Sequence, residues 1–429
     1  MAIPKFLNYK KILEKKDFLP FYVYDFNLIK RQILKLKKNI PKNVKVFYVA
    51  KANPNIAILR VMKKFGLGVV VMSLGEFFAA KKGGFKPADV FFAGSTKSDQ
   101  EFLEAIRNGV NSFGLESISE IQRLNKIAKR VGKKEKVLLR LDLTGYKKQI
   151  TKKYKVVSSF GILLNDFNKL IYDFPKKFSN LDLRGIHIYG SNRVYDVDIL
   201  IENIEHIFSV IQKFEKKNKL NFKIINIGGG FGASAKQELE VVDFCKKLEA
   251  LLKKYNFKDR EIILELGRYL VNQAGAYVTR VIELKKINKV NFLVVEGFIN
   301  HLIRVLADSE AKNQFLFAKD RIVDYEIKIL PKPKSQFYPT VIRGQMSSQA
   351  DSFGRSFNCK FYLPEAKAGN FLIIKGVGAY GLTQAVVLFG NRAFPAEFII
   401  ISNKLELIRH KVRPKDFFPY QRIPSILNK

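Results

Sequence analysis

The sequence predicts an α/β protein, a closed parallel (β/α)8 barrel followed by an antiparallel β domain, on three observations. Eight short runs rich in β-branched and aromatic residues recur before Gly275. Amphipathic stretches of helical spacing separate them, such as Phe102-Leu103-Ala105-Ile106 and Ile121-Leu124-Ile127-Ala128. Beyond Gly275 the helical spacing fades and β-like runs follow one another across turns. Strand–helix alternation repeated eight times is the pattern of a TIM barrel, which takes about 250 residues.

The eight runs are Val44–Ala50, Gly68–Ser73, Val90–Ala93, Val110–Glu116, Lys136–Asp142, Leu181–Tyr189, Phe222–Ile227 and Glu261–Leu266. The later β-like runs are Ala276–Leu284, Asn291–Glu296, Thr340–Arg343, Asn370–Lys375 and Ala396–Ile401. Phe21–Tyr24 has the same β character and is assigned with them. Residues 26–274 are therefore taken as the barrel, and 1–25 plus 275–429 as a β-barrel or sandwich domain.

Charge excludes less than it first implies. Lysine and arginine number 76 against 39 acidic residues, a net +37 that could mark a nucleic-acid binder. The lysines come in pairs spread along the chain, as at Lys15-Lys16, Lys63-Lys64, Lys81-Lys82 and Lys253-Lys254. That spacing reads as solvated helix faces, so no nucleic-acid partner is expected. No apolar run is long enough for a membrane span, and the opening MAIPKFLNYKK has no apolar core of a signal peptide. Cys245 and Cys359 have no metal-ligand spacing and make no disulfide framework. A cytoplasmic location is expected.

Several motifs fall where barrel chemistry occurs, at the C-terminal ends of strands. Lys51, in Phe47-Tyr48-Val49-Ala50-Lys51-Ala52-Asn53, ends the first strand, where a lysine amine can form a Schiff base. Alone it reads as one more surface lysine among many. Gly228-Gly229-Gly230 follows the seventh strand, where backbone N–H groups can turn toward a phosphate. Glu265-Leu266-Gly267-Arg268 ends the eighth. Its carboxylate can keep a pyridine nitrogen protonated, and its arginine can pair with a phosphate. The sixth strand gives His187-Ile188-Tyr189-Gly190-Ser191-Asn192, with His187 and Tyr189 expected on one face and Ser191 free to bond a phosphate.

Taken together these segments resemble the fold-type III pyridoxal-phosphate (PLP) decarboxylases, the diaminopimelate and ornithine decarboxylase family, whose barrel is alanine racemase-like. The matches run in order along almost the whole chain: Tyr48 to Asn53, Ser73-Leu74-Gly75-Glu76, Ser158-Ser159-Phe160-Gly161, His187 to Ser191, Gly228 to Gly232, Glu265 to Arg268, and Gly378-Ala379-Tyr380-Gly381. Gly381-Leu382-Thr383 and Pro395-Ala396-Glu397 are similar to a branch of secondary-metabolite, siderophore and exosortase-associated pathways, some of whose members act on an amino acid held by an acyl carrier protein.

The resemblance implies a decarboxylase of an amino acid or amino-acid conjugate, with PLP on Lys51. It implies phosphate contacts from Gly228, Gly229, Gly230, Ser191, Arg268 and Tyr380, with Gly267 also at the cofactor. It pairs Glu265 with the pyridine nitrogen and stacks His187 on the ring. A head-to-tail homodimer with shared active sites is implied as well. Ser347, in Gly344-Gln345-Met346-Ser347, stands where the family has the cysteine that helps reprotonate the carbanion. Ser348 stands where an acidic residue often binds a distal substrate amine, which argues against a free diamine.

Other positions depart too. Val70 replaces a usual aspartate. Ser159 replaces a lysine that commonly pairs with an aspartate, here Asp351, which is expected to find another partner or sit in solvent. The His187 segment is one residue out of register, so either His187 or Tyr189 is the stacking ring. Arg304 is a candidate for the substrate carboxylate, although Val305 replaces the family proline. The basic loop Tyr146–Lys155 is a candidate dock for an acidic carrier protein, or a solvated charge run. A racemase or other α-carbon chemistry, and a catalytically silent PLP-binding paralogue, are the alternative readings.

Overall fold

All eight early runs form strands of one closed parallel sheet in the computed structural model, which describes residues 12, 14–143, 160–303, 325–333, 336–353 and 361–428. The chain divides into two units. One comprises Arg31–Ala233 and Glu238–Leu270; the other comprises Met1–Lys30, Ser234–Gln237 and Val271–Lys429.

With strands numbered along the chain, β1 (Phe21–Asp25) belongs to the second unit. The barrel is built from β2 (Val44–Val49), β3 (Gly68–Val71), β4 (Val90–Phe92), β5 (Ser112–Leu115), β6 (Glu135–Asp142), β8 (Leu181–His187), β9 (Ile224–Asn226) and β10 (Glu261–Leu266). The two-residue β7 (Ile162–Leu163) pairs with β6 outside the ring. Pairing of β5 with β6 and of β10 with β2 closes the barrel.

Local sequence fixes the helices between strands. Those after β3, β4 and β5 begin at Leu74, Asp99 and Ile118, each behind a serine cap with glutamate three residues on. Ser73, Ser98 and Ser117 accept from the N–H of Glu76, Glu101 and Glu120. The helix is thus started where its first N–H groups lack internal partners. The strands are apolar on both faces because helices cover one and the barrel interior the other. Val49, Val70, Phe91, Ala93, Leu138 and Ile263 pack as one interior cluster, with Phe47, Met72 and Ile224 against it. Val70, where an aspartate was expected by resemblance, is a fully buried member of this filling.

The second unit holds β11 (Gly275–Ile287), β12 (Val290–Val295), β13 (Glu326–Leu330), β14 (Phe337–Arg343), β15 (Ser352–Phe353), β16 (Phe361–Pro364), β17 (Phe371–Lys375), β18 (Ala396–Ile401) and β19 (Lys404–Arg409), joined with β1 into one sheet. It is mostly antiparallel, as expected, but β1 runs parallel to β18 and β12 parallel to β14. Parallel neighbours need a long crossover, and the chain between β1 and β18 is more than long enough. Tyr24 Oη donates to Glu397 Oε1 at 2.6 Å, and Glu397 also pairs with Arg409, a buried tie across β1, β18 and β19.

Candidate active site in the barrel mouth

Lys51, Glu265, Asn226, His187 and Arg140 come from β2 or the turn after it, β10, β9, β8 and β6, five successive neighbours around the ring. Cross-strand register puts Arg140 opposite His187 and His187 opposite Asn226. Strand periodicity and barrel closure thus gather polar residues at the C-terminal rim, above a floor of apolar side chains.

Lys51 sits in the short 3-10 turn Ala50–Ala52 and is exposed, while Ala50 and Ala52 anchor the turn in the core. The turn touches the eighth-strand loop: a Cβ on Gly267 would come within 2.8 Å of Ala52 Cβ. Arg268 is half-buried just beyond it.

Glu265 is the buried acid of the site. Its Oε1 accepts from Asn226 Nδ2 at 2.7 Å, and burial raises its carboxyl above the ordinary glutamate range. Asn226, fully buried, uses its other end to accept from the Gly228 N–H at 2.9 Å. One asparagine therefore fixes both the carboxylate and the start of the glycine turn.

His187 Nε2 lies 3.8 Å from Glu265 Oε1, beyond hydrogen-bond reach, and has no partner among the described residues. Burial first, then the Arg140 cation, pushes the imidazole down to about 3. The ring is neutral, so the short separation from Glu265 is not an ion pair. Phe91 meets the ring edge-on at 6.2 Å between centroids. Strand β8 ends at His187, so Tyr189 lies beyond the strand alternation; it is 43% exposed and faces the Arg140 guanidinium at 5.9 Å. His187 is the ring beside Glu265.

Gly228 and Gly230 have φ of +68° and +99°, backbone that favours glycine. The turn is also crowded. A Cβ on Gly229 would lie 1.9 Å from the Glu265 carbonyl oxygen, and one on Gly230 2.4 Å from that of Ser191. The sixth- and seventh-strand loops are thereby brought together, with Ser191 against the glycines. Among the described residues no acceptor takes a hydrogen bond from the Gly229 or Gly230 N–H.

The remaining candidates lie in the second unit. Tyr380 is half-buried at φ +59°, in a loop where Gly378 N–H donates to Asn272 O at 3.1 Å. Ser347 is exposed in the turn after β14, and Ser348 Oγ accepts from the Ala350 N–H at 3.2 Å. Asp351 does not sit in solvent: it is fully buried and accepts from the N–H groups of Ile299 (3.0 Å) and Met346 (2.7 Å). Backbone donors have taken the place of the expected lysine. Arg304, Ser159, Cys359 and the loop Tyr146–Lys155 fall outside the described residues. Among the described residues no cluster could hold a metal, and no helix is long and apolar enough to cross a membrane.

Sequence reading passed over Asn226, Arg140, Glu116 and Lys97. Asn226 was visible as a polar residue closing an apolar strand. The other three look like ordinary surface charges until the fold buries them.

Residues 26–272 match the family model for the pyridoxal-binding domain of pyridoxal-dependent decarboxylases. The chain is 28% identical to the diaminopimelate decarboxylase of Aquifex aeolicus over 406 residues, covering 91% of this chain and 89% of that protein. It is 25% identical to the L-glutamyl-[BtrI acyl-carrier protein] decarboxylase of Niallia circulans, over 95% of each. The crystal structure of diaminopimelate decarboxylase from M. jannaschii superposes with a TM-score of 0.84 at 24% identity, over 97% of this chain and 95% of that one, which is likeness of fold. The barrel mouth fits the cofactor. A glycine turn that any Cβ would fill offers free N–H groups for a phosphate. A buried acid and an unpartnered neutral imidazole suit a protonated pyridine ring, and an amine stands on the adjoining turn. The chain belongs to the pyridoxal-dependent decarboxylase family, carboxy-lyases that work with pyridoxal phosphate.

Proposed function

We propose that this enzyme removes the α-carboxylate of an amino acid carried on a larger conjugate or a carrier protein, with Lys51 as the amine that takes the cofactor. The cofactor, when bound, supplies an electron sink for the bond that breaks. Everything else falls to the chain. Gly228, Gly229, Gly230, Ser191, Arg268 and Tyr380 would hold the phosphate, with Gly267 beside the cofactor. Glu265 faces the pyridine nitrogen, and its burial favours sharing a proton there. His187 lies against the ring as a neutral surface. Ser347 stands as proton donor to the α-carbon, and a hydroxyl is a far weaker acid than the family's thiol. Arg304 and Ser348 are assigned to the substrate, and a homodimer in the cytoplasm completes the reading.

The observation that carries it is the Asn226–Glu265 pair beside the unpartnered His187 ring, at the rim that also bears Lys51. Serine at 348 in place of an acid supports a substrate without a free distal amine. The test is the visible absorption spectrum of protein given PLP, beside Lys51→Ala. A lysine-dependent band, followed by CO2 release from some amino-acid conjugate, is expected; no band in either protein refutes the assignment.

A further inference from the structure

Four charged side chains outside the roles above run in line across the barrel mouth. Lys97, in the loop after β4, is fully buried; its Nζ donates to Gly94 O at 2.9 Å and pairs with Glu120 Oε1 at 3.0 Å. Glu120 also accepts from the Lys97 N–H (2.9 Å) and, through Oε2, from the Glu116 N–H (2.8 Å). Glu116 Oε1 pairs with Arg140 Nη1 at 2.7 Å. Arg140 then lies over the Phe160 and Tyr189 rings, at 5.0 and 5.9 Å.

Capping does not require this. The helices at Leu74 and Asp99 carry the same serine–glutamate start without a buried lysine. Burying ion pairs is costly and contributes little net stability, so the line of charges needs another reason. A cavity of about 60 Å³ beside Arg140 is lined also by Asp142, Tyr189, Asn203 and His206. Glu116 is the carboxylate that pairs with the guanidinium.

We infer that Lys97, Glu120 and Glu116 are positioning residues that fix the Arg140 guanidinium at the barrel mouth, one strand from His187. Lys97 orients Glu120, Glu120 pins the Glu116 backbone, and the Glu116 carboxylate aims the arginine. Arg140 is in turn the largest charge acting on the His187 ring. The inference rests on the proposed function only in making that placement matter for turnover.

The test is a double-mutant cycle on the PLP-loaded enzyme between Lys97→Met and Arg140→Met, two residues that share no bond. The readouts are kcat/KM, the bound cofactor's visible band, and the ring 15N shifts of His187 in cofactor-free protein. Lys97→Met is expected to lower kcat/KM about tenfold in the wild-type background and less than about twofold once Arg140 is gone. The band and the 15N shifts should respond in the first background and not in the second. Equal losses in both backgrounds overturn the relay. If Lys97→Met does not fold, Lys97→Met with Glu120→Gln, which removes both buried charges, takes its place in the cycle. Glu116→Asp should restore part of what Glu116→Gln loses. Wild-type protein that forms no band with PLP refutes the proposed function alone, and the His187 shifts then decide the relay by themselves.

Discussion

Asn226→Ala should destabilise the cofactor-free barrel by an amount that grows with pH. Two bonds between buried groups are lost. The Gly228 N–H is orphaned, which costs about 1–3 kcal/mol at any pH. Glu265 loses the donor on its Oε1, and a hydrogen bond to a charged group is worth about 1.5–3 kcal/mol, present only while the carboxyl is ionised. The sign follows from linkage. Glu265 titrates higher in the folded state than its ordinary 4.5, so between the two values the folded state keeps a proton that the unfolded chain has released, and stability falls as pH rises. Asn226 opposes that rise. Without it the folded value climbs further and the window of loss extends upward. Urea unfolding of both proteins from pH 4.5 to 8 should show the deficit smallest at the acid end and larger at neutral pH. A deficit that is flat, or greatest in acid, refutes the reasoning.

Other consequences are simpler. Gly230→Ala should cost about 1–3 kcal/mol in stability, because it combines positive φ with a 2.4 Å approach to the Ser191 carbonyl, and PLP titration should show weakened affinity. Ser347→Cys should raise turnover if this position donates the proton; unchanged turnover counts against the assignment. Reversing Lys147, Lys148, Lys152 and Lys153 to glutamate should slow reaction with a carrier-bound substrate and spare its free amino-acid counterpart, measured as kcat/KM for each.

The barrel was legible because short continuous apolar runs and helical spacing are local signals, and so were the glycines, whose constraint is a single turn. Strand ends were less so. The run Leu181–Tyr189 continues past His187, whereas strand β8 ends at that residue. Which partner Asp351 would find was not legible either: its partners are backbone N–H groups, which carry no side-chain signature. The charged line from Lys97 to Arg140 was hidden by composition. Among 76 basic residues nothing in the sequence separates the buried ones from the rest.

That contrast bears on what the departures from the family mean. In the barrel, the residues that would hold and tune the cofactor keep both their types and a geometry that needs them: Asn226 ties Glu265 to the glycine turn, and Gly230 admits the Ser191 loop. In the turn after β14 the shape is held by other means. Asp351 gathers two backbone donors, Gly344 N–H donates to Asp351 O at 3.0 Å, and Ser348 closes onto Ala350. Serine at 348 thus serves the turn without supplying a charge, and the exposed hydroxyl of Ser347 occupies a frame that does not depend on it. If Ser347 and Ser348 stand at the substrate, as proposed, the frame that presents them is held chiefly by Asp351 and by backbone bonds.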